Sequence, residues 1–286
     1  MWTKRIKRFV FFSSEKKVGS FSWRGAGARR GTSGAAAGKE KAEKTIMAFQ
    51  LGTVDFIVRE LLPRLERRGR VLSLARQRIT CPPALLIKYL DDAGFSTDVP
   101  GLRTLSTVTS KELFAALGFE HYDDLDFTPD EPCTITHDLN RPIPEEYRGR
   151  YDLVFEMGTL EHVFDQRTAF ANIVGLLGLG GTVFHLSPLG YVNHGFYNYS
   201  LTVFYDVYRV NGFEDVVFYL VDFPLKWWKN QSVRYRRVEF TTEAVMAEAP
   251  KGYFLMAACL ARKAADLGEF RVPIQAFYDP ALRNDE

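Results

Sequence analysis

A chain of 286 residues, 46% apolar and 25% charged, has the composition of a globular protein with a substantial core and room for one large or two small domains. No apolar run approaches the roughly 20 residues of a membrane-spanning helix, which points to a protein with no membrane partner and a cytoplasmic location. Three scattered cysteines (Cys81, Cys133, Cys259) form no C-x-x-C pair, which excludes a disulfide framework and a structural zinc site and fits a reducing compartment.

The net charge of +2 hides an asymmetry. Residues 1–46 hold 12 Lys/Arg against three acids, a net of +9, so the remaining 240 residues carry −7. A body that acidic has no electrostatic reason to seek nucleic acid, leaving only the basic tail for such contact. The tail is rich in Gly, Ser and Ala, too poor in apolar surface to offset chain entropy, and reads as disordered with a helical stub near Lys39–Lys44. Three readings stay open for it: organelle targeting, an arm for nucleic acid or membrane, or an extension without function ahead of a domain that starts at Met47.

From Met47 the pattern alternates. Residues 54–65 carry a helical apolar face (Phe56, Ile57, Leu61, Leu62, Leu65) that Pro63 should end early. A strand follows at 70–75, a proline-led helix at 82–93, and a helix at 111–117 with Ser110 as its cap. Short strands are expected at 121–127, 133–138, 151–156, 182–186, 216–221 and 253–261. Between the fourth and fifth of the domain's strands lies a helix at 167–177 with the face Phe170, Ile173, Val174, Leu177. Gly178-Leu-Gly-Gly181 should stop it through a left-handed residue and turn the chain into the next strand. Strand, helix and strand make a right-handed βαβ unit, hence a parallel sheet, and late strands with no helix between them suggest an antiparallel edge.

The segment Tyr151-Asp-Leu-Val-Phe-Glu-Met-Gly-Thr-Leu-Glu-His-Val163, followed by Ala169-Phe-Ala-Asn-Ile-Val-Gly-Leu-Leu-Gly-Leu-Gly-Gly181, resembles the second half of a class I S-adenosylmethionine-dependent methyltransferase domain. Thr134–Pro144 and Asn193-His-Gly-Phe-Tyr-Asn-Tyr-Ser200 resemble an atypical branch of that family. The resemblance covers Arg70 to about Lys263 and implies an α/β, Rossmann-like doubly wound sheet, mostly parallel with an antiparallel edge. It also implies S-adenosyl-L-methionine as cofactor. The first half departs from the family pattern: the turn after the first strand, normally glycine-rich, is Ala75-Arg-Gln-Arg-Ile79, with no glycine.

In such sheets ligands bind beyond the carboxyl ends of the strands. Ala75 is the least obstructive stand-in for a glycine there, and Arg76 or Gln77 could hold the cofactor's carboxylate. Asp124 or Asp126 would take the ribose hydroxyls, unless they form an exposed acidic loop. Asp138 would take the adenine amine and Leu139 cover its ring, unless Asp138 is a turn residue. Glu156, Met157 and Gly158 end the fourth strand, with Gly158 allowing close approach and Met157 packing on the cofactor or simply in the core. Glu161 suits the start of the next helix, and His162 could be a general base or structural. His194, in a loop over the acceptor's entry, is the preferred catalytic base, with Asn193, Tyr197 and Tyr199 shaping the substrate pocket. Lys226–Arg237 mixes aromatics and cations and fits either an anionic or glycan acceptor or an edge hairpin. The five histidines show no metal-ligand spacing, so no metal is expected, and nucleophile-elbow, phosphate-loop and dinucleotide strings are missing.

The expected activity is methyl transfer to an oxygen or nitrogen of a small-molecule or glycan-like acceptor. The alternative is a catalytically inactive binding or scaffold protein on the same fold.

Overall fold

The structure, a computed structural model, describes residues 10–11, 19–20, 49–105, 108–129, 133–224, 232–239 and 250–278. The chain divides into two units, residues 1–46 and 47–286. In the first, β1 (Val10–Phe11) pairs antiparallel with β2 (Gly19–Ser20). The remainder of the expected disordered tail, including the helical stub, lies outside the described residues.

The second unit is built on one eight-stranded sheet. Its strands are β3 (Arg70–Leu74), β4 (His121–Asp126), β5 (Ile135–Thr136), β6 (Tyr151–Met157), β7 (Leu177–Pro188), β8 (Phe213–Pro224), β9 (Arg234–Val238) and β10 (Tyr253–Lys263). They lie in the order β5-β4-β3-β6-β7-β10-β8-β9. The pairs from β5 to β7 are parallel and those from β7 to β9 antiparallel. The chain winds outward from β3 to β5, then returns to the other side of β3 with β6. This reversal makes β3 and β6 the switch point, where the strand ends part and leave a crevice.

Two helical layers cover the sheet, and strand periodicity sorts the side chains between them. Val71, Leu153, Phe155 and Met157 pack on one face with α1 (Leu51–Phe56), α2 (Pro83–Asp92) and α3 (Ser110–Ala116). Leu72, Leu74, Val154 and Val183 pack on the other with α4 (Gln166–Leu176) and α5 (Leu201–Val210). All seven residues of β6 are buried, as expected of a central parallel strand covered on both faces. Phe155 stacks on Phe49 and Phe184 with ring centroids 5.4 and 4.6 Å apart, joining the first helix region to the sheet.

Several expectations change. The helix after Met47 begins at Leu51, continues as a π-helix over Ile57–Leu61, and closes in a 3-10 turn holding Pro63. The cap of α3 is Thr109, whose backbone N–H donates to Glu112 at 2.9 Å, and not Ser110. Ser110 is buried, and its hydroxyl is occupied by Tyr122 at 2.7 Å and by the Gln77 N–H at 3.2 Å. The strand expected at 133–138 shrinks to two residues, because Thr134 turns its N–H and hydroxyl to Asp124 and Asp138 opens a turn. Glu161 and His162 lie in a 3-10 turn; α4 starts four residues later, capped by Asp165. Nor does a left-handed glycine stop α4. Leu177 is already extended, and the carbonyls of Val174 and Leu177 accept from the buried Lys263 ammonium at 3.0 Å each. Gly181 serves close packing instead: a Cβ there would lie 2.9 Å from the carbonyls of Gly178 and Tyr151.

The helix α5 between β7 and β8 was not expected, although Leu201, Phe204, Val207 and Tyr208 mark its face. The antiparallel edge nevertheless forms as expected. Of Lys226–Arg237, residues 226–231 lie outside the described residues, and Arg234–Arg237 belong to the edge strand β9, with charges solvated.

Candidate active site

The crevice at the switch point is a cleft of about 250 Å³, bounded by Ala75 after β3, Asp126 at the end of β4, Asp138 and Leu139 after β5, and Thr159 and His162 after β6. Four of the sequence-selected cofactor residues and one histidine therefore converge on one place. Its lining is mainly apolar: Leu125, Leu139 and Val163 supply the walls. Asn140 closes one side by accepting the N–H groups of Phe164 and Asp165 at 3.1 and 2.9 Å.

Ala75 has φ of +68°, the left-handed conformation that a glycine would take without cost. Its N–H donates to the Leu125 carbonyl at 2.8 Å, and Ser73 donates its hydroxyl to the Ala75 carbonyl at 2.7 Å. The turn keeps glycine geometry with an alanine in it. Ala75→Gly is therefore expected to raise stability by about 1 kcal/mol, the relieved strain exceeding the added unfolded-state entropy. Urea denaturation checks it: a lower midpoint in the variant would mean that the turn is not strained.

Other selected residues are committed internally. Asp124 is fully buried and receives Thr134 N and Oγ1 at 2.7 and 3.0 Å together with both arms of the Arg76 guanidinium, one of them at 3.1 Å. Neither Asp124 nor Arg76 is free in this conformation to hold a ribose or a cofactor carboxylate. Gln77 is likewise occupied, donating to the Met157 carbonyl at 3.2 Å. Glu156, fully buried, accepts from Thr159 N, Leu160 N, Ser187 Oγ and His185 Nδ1 at 2.7, 3.2, 3.0 and 2.9 Å; it fixes the turn after β6 and does not face the cleft. Met157 is fully buried core, and Gly158 takes φ of +73°.

Asp138 is both a turn residue and a cleft residue. Its Oδ1 accepts from Asn140 Nδ2 at 2.8 Å and Asn140 N at 2.9 Å, and these bonds hold its carboxyl below the usual range. It therefore stays charged at the mouth of the cleft. Asp126 receives the Thr128 N–H at 3.3 Å and remains half-buried in the cleft lining.

On the β6 side the loop after β7 folds back onto Glu161. Phe196 N–H donates to the Glu161 carbonyl at 2.7 Å, and Gly195 lies so close that a Cβ would sit 2.7 Å from the same oxygen. This contact carries His194 to the Glu161 side chain, with Nε2 3.4 Å from Oε1. His162 Nε2 is 4.0 Å from the same oxygen, and the two imidazoles lie 5.0 Å apart edge to face. Glu161 is fully buried, and burial pushes its carboxyl upward. Among the described residues neither of its oxygens has a hydrogen-bond partner. His194 is largely buried beneath Tyr191, whose ring stacks on it at 4.6 Å, whereas His162 is half-exposed on the cleft. Asn193 is exposed with φ of +60°. Tyr199 is not a pocket residue: it is buried against Phe170 and Phe204, its hydroxyl donating to Gln166 at 2.7 Å. Tyr197 donates to the Phe164 carbonyl at 2.9 Å. The Glu161–His162–His194 cluster escaped the sequence because its members come from segments 32 residues apart, with no spacing rule to join them.

No protein-family model matches the chain, and no curated protein matches it. Solved structures that match include a SAM-dependent methyltransferase from Archaeoglobus fulgidus, at 14% identity and a TM-score of 0.40, over 73% of this chain and 93% of that one. Another is the citrinin polyketide synthase CMeT domain, at 10% identity and 0.41, over 75% and 52%. A third is phosphoethanolamine N-methyltransferase 2 from Haemonchus contortus, at 13% and 0.39, over 71% and 52%. The chain spans about half the length of the latter two. The strand order and the switch point described above are those of a Rossmann-like, doubly wound α/β sheet, mostly parallel with an antiparallel edge. In doubly wound sheets ligands bind in the crevice beyond the carboxyl ends of the strands at the switch point, where this cleft lies. Among the described residues no helix is long and apolar enough to cross a membrane.

Proposed function

We propose that the chain is an S-adenosylmethionine-dependent methyltransferase acting on an oxygen or nitrogen of a small-molecule or glycan-like acceptor. The observation that carries this reading is the cleft at the switch point, with apolar walls and a charged Asp138 at its mouth. Leu139 and Val163 would cover the adenine, Asp138 accept from its amine, and Asp126 accept from the ribose. At about 250 Å³ the cleft is smaller than the ~300–1,000 Å³ usual for ligand sites, which fits enclosure of the nucleoside end alone. When bound, the cofactor supplies an electrophilic methyl on a sulfonium. The chain's own task is then alignment and exclusion of water. His162, half-exposed on the cleft, is better placed than the largely buried His194 to take the acceptor's proton.

A second reading, a binding protein on the same fold, is favoured by the engagement of Arg76 with Asp124 and of Gln77 with Met157, which leaves the cofactor's amino-acid end without those donors. Isothermal titration of S-adenosylmethionine and S-adenosylhomocysteine into the full chain separates the two. The enzyme reading expects micromolar binding that Asp138→Ala weakens about 10- to 100-fold, the worth of a hydrogen bond to a charged group. No heat from either ligand at high protein concentration sinks it and leaves the binding protein.

A further inference from the structure

The fully buried Glu161 poses a physical problem. A carboxylate removed from water without hydrogen bonds is costly, and such groups in proteins are paired, neutralised or bound to a cation. Among the described residues both Glu161 oxygens and His194 Nε2 are buried without a hydrogen bond, although Nε2 and Oε1 are only 3.4 Å apart. The two groups face each other without the alignment that one proton between them would need. His162 Nε2 completes a triangle, and the three donor atoms all lie within 4.8 Å of one another. Donors on one tetrahedral first-row cation sit about 2.0–2.2 Å from it, hence about 3.3–3.6 Å apart. The Glu161–His194 pair already has that spacing at 3.4 Å, and a shift of about 1 Å in the half-exposed His162 ring brings in the third donor.

We infer that Glu161, His162 and His194 form a binding site for one divalent first-row transition cation of the zinc class. Two imidazoles and one carboxylate are the donor set that such cations take from proteins when a further coordination position is left for water or substrate. Oxygen-preferring calcium and magnesium fit it poorly, because two of the three donors are nitrogen. The site is built: the Phe196 N–H and the absent Cβ of Gly195 lock the loop onto Glu161, and the Tyr191 ring, itself stacked on Phe254 at 4.7 Å, holds the His194 imidazole in place. His162 also lines the cleft, so an acceptor hydroxyl entering there could reach the open position, where the cation would lower its pKa and the proton would pass to solvent water; with the cation bound, this would replace the His162 ring as the proton acceptor. That last role rests on the methyl-transfer reading; the binding itself does not.

The test uses the tag-free full chain, stripped with a chelator, and reads metal without any methyl donor present. Zinc titrated against a chromophoric chelator should bind one per chain at micromolar or tighter affinity, and cobalt(II) should give the visible bands of a low-coordinate nitrogen–oxygen site. Glu161→Gln, His194→Asn and His162→Asn should each weaken binding at least tenfold; near-ultraviolet circular dichroism identifies any variant that fails to fold, and the half-exposed His162→Asn is the variant expected to fold in any case. Zinc binding unchanged in folded His162→Asn or Glu161→Gln overturns the site. So do thiolate-to-cobalt charge-transfer bands, which would assign the metal to cysteine, and an absence of binding in the wild-type chain. Because the readout is metal alone, failure of S-adenosylmethionine to bind leaves this result unaffected.

Discussion

Glu156→Ala should lower the stability of the 47–286 unit by about 3–5 kcal/mol, the range found when one partner of a buried charged network is removed. The side chain is fully buried, and four donors converge on it: two backbone N–H groups of the turn after β6, the Ser187 hydroxyl and the His185 imidazole. Deleting the carboxylate strands all four at once. The loss does not stop there, because the other nitrogen of His185 is bonded to the buried Tyr208 hydroxyl at 2.5 Å, linking β6 and β7 to α5. Glu156→Gln keeps the shape and one acceptor oxygen, so about 1–3 kcal/mol is expected for it. Urea melts read the difference directly: the midpoint should fall with an unchanged slope, and the melting temperature by roughly 6–20 °C for the alanine variant. An alanine variant within 0.5 kcal/mol of wild type would show that the turn after β6 stands without this carboxylate.

The second large effect is expected at Asp124, where the electrostatics of the glycine-less turn are concentrated. Asp124→Ala leaves the Arg76 guanidinium and the Thr134 N–H and hydroxyl without their acceptor, and about 3–5 kcal/mol should be lost. Arg76→Met leaves the buried carboxylate with Thr134 and a long contact to the Tyr122 hydroxyl at 3.4 Å, and about 2–4 kcal/mol is expected. The double variant Arg76→Met/Asp124→Leu should be less damaging than the sum, with a coupling of about 1–3 kcal/mol, since neither charge is then left alone. Additive losses would mean that the two side chains act independently, and that Arg76 is available for a ligand's carboxylate after all. The cycle thus bears on function as well as on stability.

How much of this was legible in the sequence differs from element to element. Apolar periodicity located β3, β6, α2 and α4 to within a residue or two, because each buries a face whose spacing is fixed by its own geometry. The ordered string from Tyr151 to Gly181 carried the fold, since a parallel strand, its crossover helix and the next strand are contiguous along the chain. The helix α5 was equally legible from Leu201, Phe204, Val207 and Tyr208 but lay hidden behind the polar loop that precedes it. Strand ends also named part of the cleft: Ala75, Asp126, Asp138 and Leu139 were selected because they lie at the ends of β3, β4 and β5, and they meet there.

The sequence by itself determined most of the strands and helices, though not α5, together with the parallel core with its antiparallel edge and the place where the cleft opens. These follow from local periodicity and from the handedness of βαβ units. Only the tertiary structure decided which polar side chains are free. Asp124 and Glu156 look like ligand groups in one dimension and prove to be the acceptors of Arg76, Thr134, Ser187 and His185 in three. Lys263 caps a helix 86 residues before it, and Glu161 meets His194 across a loop folded back by Gly195. Hydrogen bonds and ion pairs act over about 3–4 Å of space whatever the distance along the chain, so the partners of a buried charge are set by the packing of the whole and not by its neighbours in sequence.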